Sequence, residues 1–210
     1  MYLSRIPLDL TKRKTLYALS SPSIFHGAIE SSFAGERKRN LWRVDDLAQK
    51  KYLLLLSEER PDISSLEEQF SPEEANGVTK DYSPFLSRIE RNSMWRFRLC
   101  ANPIHSVMQD GKRGKKLAYT VETEQLSWLQ RQAKKNGFLV SEDSVRVTRK
   151  QWYQFNKGNE KRRVRMLLVT YDGVLKVTDR ELFVQALTSG IGREKAYGAG
   201  LLTLMHVENQ

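Results

Sequence analysis

Apolar and charged residues alternate from Met94 to Cys100, where Trp95, Phe97 and Leu99 stand against Arg96 and Arg98. A period of two predicts a half-buried strand. The same period runs through 161 to 170, with Lys161, Arg163 and Arg165 on one face and Val164, Met166 and Leu168 on the other. Elsewhere the spacing is helical. Phe25, Ala28, Ile29 and Phe33 form a stripe behind Ser21-Pro22, an N-cap followed by a proline at the first helical position. Gly35 closes that helix.

Read in order, the first half predicts a strand over 2 to 8, the helix from Pro22, strands over 41 to 44 and 51 to 57, a helix near 64 to 70 and a strand near 85 to 89. The second half predicts a strand over 94 to 100, then a helix over 123 to 136 with Leu126, Leu129 and Ala133 on one side and Gly137 at its end. A long hairpin follows over 143 to 156 and 161 to 171, then a turn at Asp172-Gly173 and a short strand to Val177. Thr178-Asp179-Arg180-Glu181 is a capping box for a helix that buries Leu182, Phe183, Ala186 and Leu187. A strand over 201 to 207 ends the chain. Each half therefore reads βαββαβ. The expected fold class is α+β, with two ferredoxin-like (RRM-like) domains in tandem, 1–92 and 93–210, and a glycine-rich loop near the C-terminus. The duplication is one of element order, without a sequence repeat.

At 210 residues, with 40% hydrophobic and 29% charged, the chain is neither a disordered tail nor a membrane protein. Apolar runs such as Leu53 to Leu56 fall far short of the ~20 residues of a spanning helix. Met1-Tyr2-Leu3-Ser4-Arg5 is not a secretory signal, and the expected compartment is cytoplasmic. Cys100 is the single cysteine, which excludes an intrachain disulfide and a Cys-based zinc cage.

Thirty-five Lys and Arg against 25 Asp and Glu give a net charge of +10. Acids crowd 58 to 74, where only Arg60 opposes them. Bases crowd 145 to 165: Arg146, Arg149, Lys150, Lys157, Lys161, Arg162, Arg163 and Arg165 against Glu160. Such segregation favours a polyanion partner over a generic basic surface. Trp152, Tyr153 and Phe155 beside the basic stretch either stack on nucleobases or belong to the core. Lys112, Arg113, Lys115 and Lys116, punctuated by Gly111 and Gly114, read as a mobile loop.

Two places could carry chemistry. The first runs Ser189-Gly190-Ile191-Gly192-Arg193-Glu194-Lys195-Ala196-Tyr197-Gly198-Ala199-Gly200, with four glycines in the eleven residues from Gly190. It lacks the Gly-Lys-Ser/Thr ending of a P-loop, and it follows a helix where a dinucleotide fingerprint would follow a strand. A phosphate cradle with Arg193 and Lys195 remains, beside a plain flexible loop. The second is His26, at the edge of the buried stripe, with Ser23 and Glu30 on its helix face. An imidazole titrates near ~6.5 and can give or take a proton at neutral pH. The alternative is a surface histidine paired with Glu30. His105 and His206 read as structural, and no histidine spacing suits a metal.

Several blocks together resemble one family. They are Met1-Tyr2-Leu3-Ser4-Arg5, Ser21-Pro22 with His26 and Phe33, Phe97-Arg98-Leu99 through Ala101-Asn102-Pro103, Asp172-Gly173-Val174-Leu175 through Thr178-Asp179, and above all Gly190 through Leu202. The chain is similar to CasE (Cse3), the CRISPR-associated endoribonuclease of type I-E systems. The resemblance implies a tandem RRM-like protein that binds the stem-loop of the CRISPR repeat and cleaves pre-crRNA at the 3′ base of the stem. It also implies that no metal or other cofactor is used, and that the protein stays on the mature crRNA within Cascade, beside other subunits.

The family's catalytic histidine corresponds to His26, and its glycine loop to Gly190, Gly192, Arg193, Lys195, Gly198 and Gly200. Its basic RNA-binding segment corresponds to Lys157, Lys161, Arg162, Arg163 and Arg165. Well-known members of the family carry a tyrosine three residues before the histidine, and Ser23 stands there in this chain. The chemistry expected is attack of an RNA 2′-OH on the adjacent phosphate, leaving a 2′,3′-cyclic phosphate, with His26 as general base or acid. The rivals are a non-catalytic crRNA-binding subunit of the same fold and an unrelated basic scaffold protein.

Overall fold

A computed structural model describes residues 1–34, 38–74, 76–109, 112–156 and 163–207. Gly35 lies outside them, and the helix it was expected to close ends earlier, at Glu30 with Ser31 as its C-cap, which leaves Phe33 beyond the helix. The first half contains β1 (Tyr2–Leu8), α1 (Arg13–Ser20), α2 (Pro22–Glu30), β2 (Leu41–Leu47), β3 (Lys50–Ser57), α3 (Ser64–Phe70), β4 (Val78–Asp81) and the single turn α4 (Ser83–Leu86). The second contains β5 (Met94–Ala101), β6 (Ile104–Gln109), β7 (Lys112–Ala118), α5 (Glu122–Lys135), β8 (Phe138–Asn156), β9 (Arg163–Val177), α6 (Arg180–Ser189) and β10 (Leu202–His206).

Strand order is β2-β3-β1-β4 in one sheet and β10-β5-β9-β8 in the other. Both sheets are antiparallel throughout. In each, the first and third strands of a βαββαβ unit occupy the centre, which is the ferredoxin-like order. The protein is thus a tandem of two such folds, and β6–β7 forms a separate two-stranded ribbon. Ile6, Leu53 and Leu55 pack with Phe25, Ile29 and Phe70 of the helices over the first sheet. Phe97, Leu99 and Tyr171 pack with Leu129 and Phe183 over the second.

Several expectations are corrected. Helix α1 has only two fully covered residues, Thr15 and Ala18, too few for a visible stripe. The strand expected near 85 to 89 lies earlier, at β4, whose Val-Thr-Lys-Asp sequence has no apolar alternation because it is a largely exposed edge. Just beyond it, Asp81 accepts a hydrogen bond from the Ser83 amide at 2.9 Å, and Pro84 sits in the first turn of α4. The segment around Gly114 is a strand, β7, where a loop was expected.

Asp172-Gly173 is no turn, because β9 runs straight through it. Asp172 pairs across the ladder with Arg98, whose Nε donates at 2.6 Å. A Cβ at Gly173 would lie 2.2 Å from the Ser144 carbonyl oxygen, where β8 bulges against β9. The glycine answers to a neighbouring strand. Asp179, rather than Thr178, caps α6, accepting from the Leu182 amide at 3.0 Å. Phe183, Ala186 and Leu187 are buried as expected, but Leu182 is exposed. No helix among the described residues is long and apolar enough to cross a membrane.

The two sheets meet through their remaining faces. Leu41, Leu54, Leu56 and Leu201 form the apolar part of the contact. Arg43, 3% exposed, forms the polar part. Its Nε and Nη2 grip Asp45 at 2.7 and 2.6 Å. Nη1 donates to the carbonyls of Arg98 and Leu201 at 3.0 and 2.9 Å, and Nη2 also donates to Thr203 Oγ1 at 2.7 Å. All five N–H donors of the guanidinium are used, three of them on the other sheet. Arg43→Ala is expected to destabilise the protein by about 3–5 kcal/mol, because it strands Asp45 in the interface. Urea unfolding reads this as a fall in midpoint at constant slope. Pairing Arg43→Met with Asp45→Leu should recover most of the loss.

Candidate functional site

His26 owes its position to a break between two helices. The Ser21 amide closes α1 on the Tyr17 carbonyl at 2.9 Å, and Pro22 then opens α2 in a new direction. Ser21 occupies the cap position without capping through its side chain. Its hydroxyl lies 3.1 Å from that of Ser23. Phe25, Ala28 and Ile29 turn inward, which leaves His26 on the rim with its side chain 21% exposed. Glu30, one turn on, lies 3.9 Å from His26 Nδ1. The Tyr197 ring stands edge-on to the imidazole, with centroids 5.9 Å apart.

Tyr197 comes from the other half of the chain, on the glycine-rich loop. There a short 3-10 turn, Lys195–Tyr197, reaches over the β2 edge to α2. Hydrogen bonds hold the loop to its surroundings and to itself. Trp42 Nε1 donates to the Ala196 carbonyl at 3.1 Å. The Ile191 amide donates to Gly200 at 3.0 Å, and the Gly200 amide to Cys100 at 2.6 Å.

Gly190, Gly192, Gly198 and Gly200 all have positive φ. At Gly198 a Cβ would come within 3.1 Å of the Trp42 ring, and at Gly190 within 2.7 Å of Leu41. These two glycines let the loop seat against β2 of the first unit. Arg193 is exposed and makes no ion pair among the described residues. Lys195 donates to the Ser189 carbonyl at 2.6 Å. Partial burial, and then the neighbouring Arg39 charge, hold its ammonium below the ordinary lysine range.

The β8–β9 hairpin passes the same place. Phe155 packs edge-on against Tyr197 at 4.9 Å, so His26, Tyr197 and Phe155 link α2, the loop and the hairpin. Arg163 and Arg165 alternate with Val164, the cross-strand partner of Phe155. They therefore lie on the opposite face from Tyr197. Arg165 stacks over the exposed Trp152 ring at 4.6 Å. Lys157, Lys161 and Arg162 fall outside the described residues. His105 rests on Tyr119 and His206 on Trp95, each with ring centroids 4.5 Å apart. Among the described residues no group of three or more His, Cys, Asp or Glu side chains could hold a metal ion.

Sequence reasoning passed over Arg43, Asp45 and Tyr197 as single residues. A usable signal existed for the first two. Arginine and aspartate two apart in Leu41-Trp42-Arg43-Val44-Asp45 share one face of an otherwise apolar strand. Tyr197 gave no such signal, because its neighbour lies far away in the chain.

A family model described as CRISPR associated protein matches residues 1–206. CRISPR-associated endoribonuclease Cse3 of Thermus thermophilus is 26% identical over 218 residues, covering 97% of this chain and 99% of its own. CRISPR system Cascade subunit CasE of Escherichia coli K12 is 31% identical over 116 residues, or 51% of this chain and 56% of its own. Among solved structures, Cse3 bound to a 19 nt RNA superposes with a TM-score of 0.81 at 25% identity, covering 98% of this chain and all of that one (100%). Thermus thermophilus Cse3 bound to an RNA representing a pre-cleavage complex gives 0.82 at 25% identity, with 97% and 98% covered. The family match spans both sheets, α2 and the glycine-rich loop, and the chain belongs to the CRISPR-associated protein family, in its CasE (Cse3) branch.

Proposed function

We propose that this protein is a pre-crRNA endoribonuclease. It binds the stem-loop of the CRISPR repeat, cuts at the 3′ base of the stem and stays on the mature crRNA beside other Cascade subunits. The observation that carries this reading is the meeting of His26 with the glycine-rich loop, through Tyr197 at 5.9 Å. The names of its relatives, an RNA-bound endoribonuclease and a Cascade subunit, support it. We divide the chain at residue 92, with His26 in the N-terminal domain and the hairpin and loop in the C-terminal one.

The reaction is transphosphorylation within the RNA. The 2′-oxygen of the nucleotide before the cut attacks the neighbouring phosphorus while the bond to the 5′-oxygen breaks. One proton leaves the 2′-OH and one reaches the departing 5′-oxygen. The products are a 2′,3′-cyclic phosphate and a 5′-hydroxyl. His26 carries one of these two protons, which is worth roughly 10²–10⁴-fold. Arg193 and Lys195 supply positive charge for the phosphorane. Imidazole and cations suffice for this route, and no metal takes part.

A second reading rests on Ser23. Its hydroxyl is engaged with Ser21, at the position where well-known members of the family carry a tyrosine. On this reading the protein is a crRNA-binding subunit that does not cut.

The test is cleavage of the host's own repeat hairpin in EDTA. Wild type should cut it, a single 2′-deoxy at the cleavage site should block the reaction, and His26→Ala should lower the rate roughly 10²–10⁴-fold with RNA affinity retained. Tight binding without cleavage by either protein selects the second reading. Loss of activity in EDTA that Mg²⁺ restores rules out the metal-free route. Separately, Arg165→Gln should weaken binding to any hairpin sequence and lower the salt-dependence slope by about 1. A filter-binding titration over salt reads both.

A further inference from the structure

A cleft of about 120 Å³ opens beside Tyr197, between the two halves of the molecule. Its two walls differ in chemistry. Leu19 and Val44 of the first unit, with the buried rings of Phe25 and Trp42 behind them, make one wall, which is apolar. Arg149, Gln151 and Tyr153 make the other. They are alternate residues of β8, so all three project from the same face of the strand. Burial pushes the Tyr153 hydroxyl above the ordinary phenol range, against the smaller opposing pull of the Arg149 charge and of a hydrogen bond with Gln151.

The mouth of the cleft is cationic. Lys51 and Arg149 both lean on the exposed carboxylate of Asp46, Arg149 at 3.6 Å. Exposed pairs of this kind are weak, and an arriving phosphate can replace the carboxylate. One apolar wall, one wall of hydrogen-bonding groups and cations at the rim match the three parts of a nucleotide: the face of its base, the edge of its base and its phosphate.

We propose that this cleft is a binding site for one unpaired nucleotide flanking the cleavage site, its base set against the apolar wall and read by Gln151 and Tyr153. The inference rests on the endoribonuclease reading and adds a specificity site to it. Tyr197 lies at the cleft and stands against His26, so a base held there sits next to the reacting linkage.

The experiment uses the full protein and repeat hairpins with a 2′-deoxy at the cleavage site, so that binding is read without turnover. 2-Aminopurine is placed in turn at each unpaired nucleotide on either side of the stem. At one position the fluorescence should fall severalfold on saturation with wild type. In Gln151→Trp, which fills the cleft from a partly exposed strand position, that fall should vanish while melting is unchanged. Gln151→Ala should weaken binding about fivefold, the value of one hydrogen bond. An abasic site at the responding position should erase the difference between Gln151→Ala and wild type.

The proposal is overturned if no position responds, or if the response persists in Gln151→Trp. Cleavage of unmodified RNA, run alongside, separates the two ideas. A responding base without cleavage keeps the cleft and removes the nuclease. Cleavage with no responding base keeps the nuclease and removes the cleft. RNA that does not bind at all overturns both.

Discussion

The Arg43 guanidinium is the constraint on which the arrangement of the two sheets depends. It leaves an edge strand of one sheet, carries Asp45 with it, and ends on carbonyls of β5 and the residue before β10, with a further bond to Thr203. Replacing a buried pair with apolar side chains is often neutral or stabilising, so its value here is geometric rather than energetic. Leucines alone, such as Leu41, Leu54, Leu56 and Leu201, would tolerate sliding and rotation of one sheet on the other. A fork with five bonded donors does not. Arg98, paired with Asp172 and 3.9 Å from Asp45, extends the same network to the centre of the second sheet.

With that orientation fixed, the glycine-rich loop can cross the β2 edge and lie on α2. Its seat is made of first-unit residues, with Trp42 beneath Gly198 and Leu41 beneath Gly190. The glycines that composition alone would assign to a ligand are in close contact with protein here. What the loop presents outward is Arg193. A P-loop, in contrast, turns its backbone amides toward phosphate.

The element order of both halves was legible because most strands and helices carry one dry face. The stripe of Phe25, Ala28 and Ile29 placed α2, and the alternation of Trp95, Phe97 and Leu99 placed β5. Legibility failed where an element is wet on nearly every side, as in α1 and β4, and where a residue answers to a distant neighbour. Asp172-Gly173 carries a local turn signature, yet Arg98 holds the aspartate and the β8 bulge requires the glycine. His26 was visible as a candidate because it sits one step off an apolar stripe. Tyr197, Trp42 and Gln151 were not, since what makes them matter is a contact across roughly half the chain or more.

The partners at His26 come from distant parts of the sequence. The imidazole belongs to the second helix, and Tyr197 to the glycine-rich loop that follows the last helix. A ribosome exposes the first unit long before residues 190 to 200 emerge. Its sheet and helices can form meanwhile, but Trp42 and Leu41 have nothing on them and His26 lacks its aromatic neighbour. The order of translation therefore keeps this arrangement from existing in any chain that stops short of the glycine-rich loop, and surrounding cellular RNA meets it only after that segment has emerged.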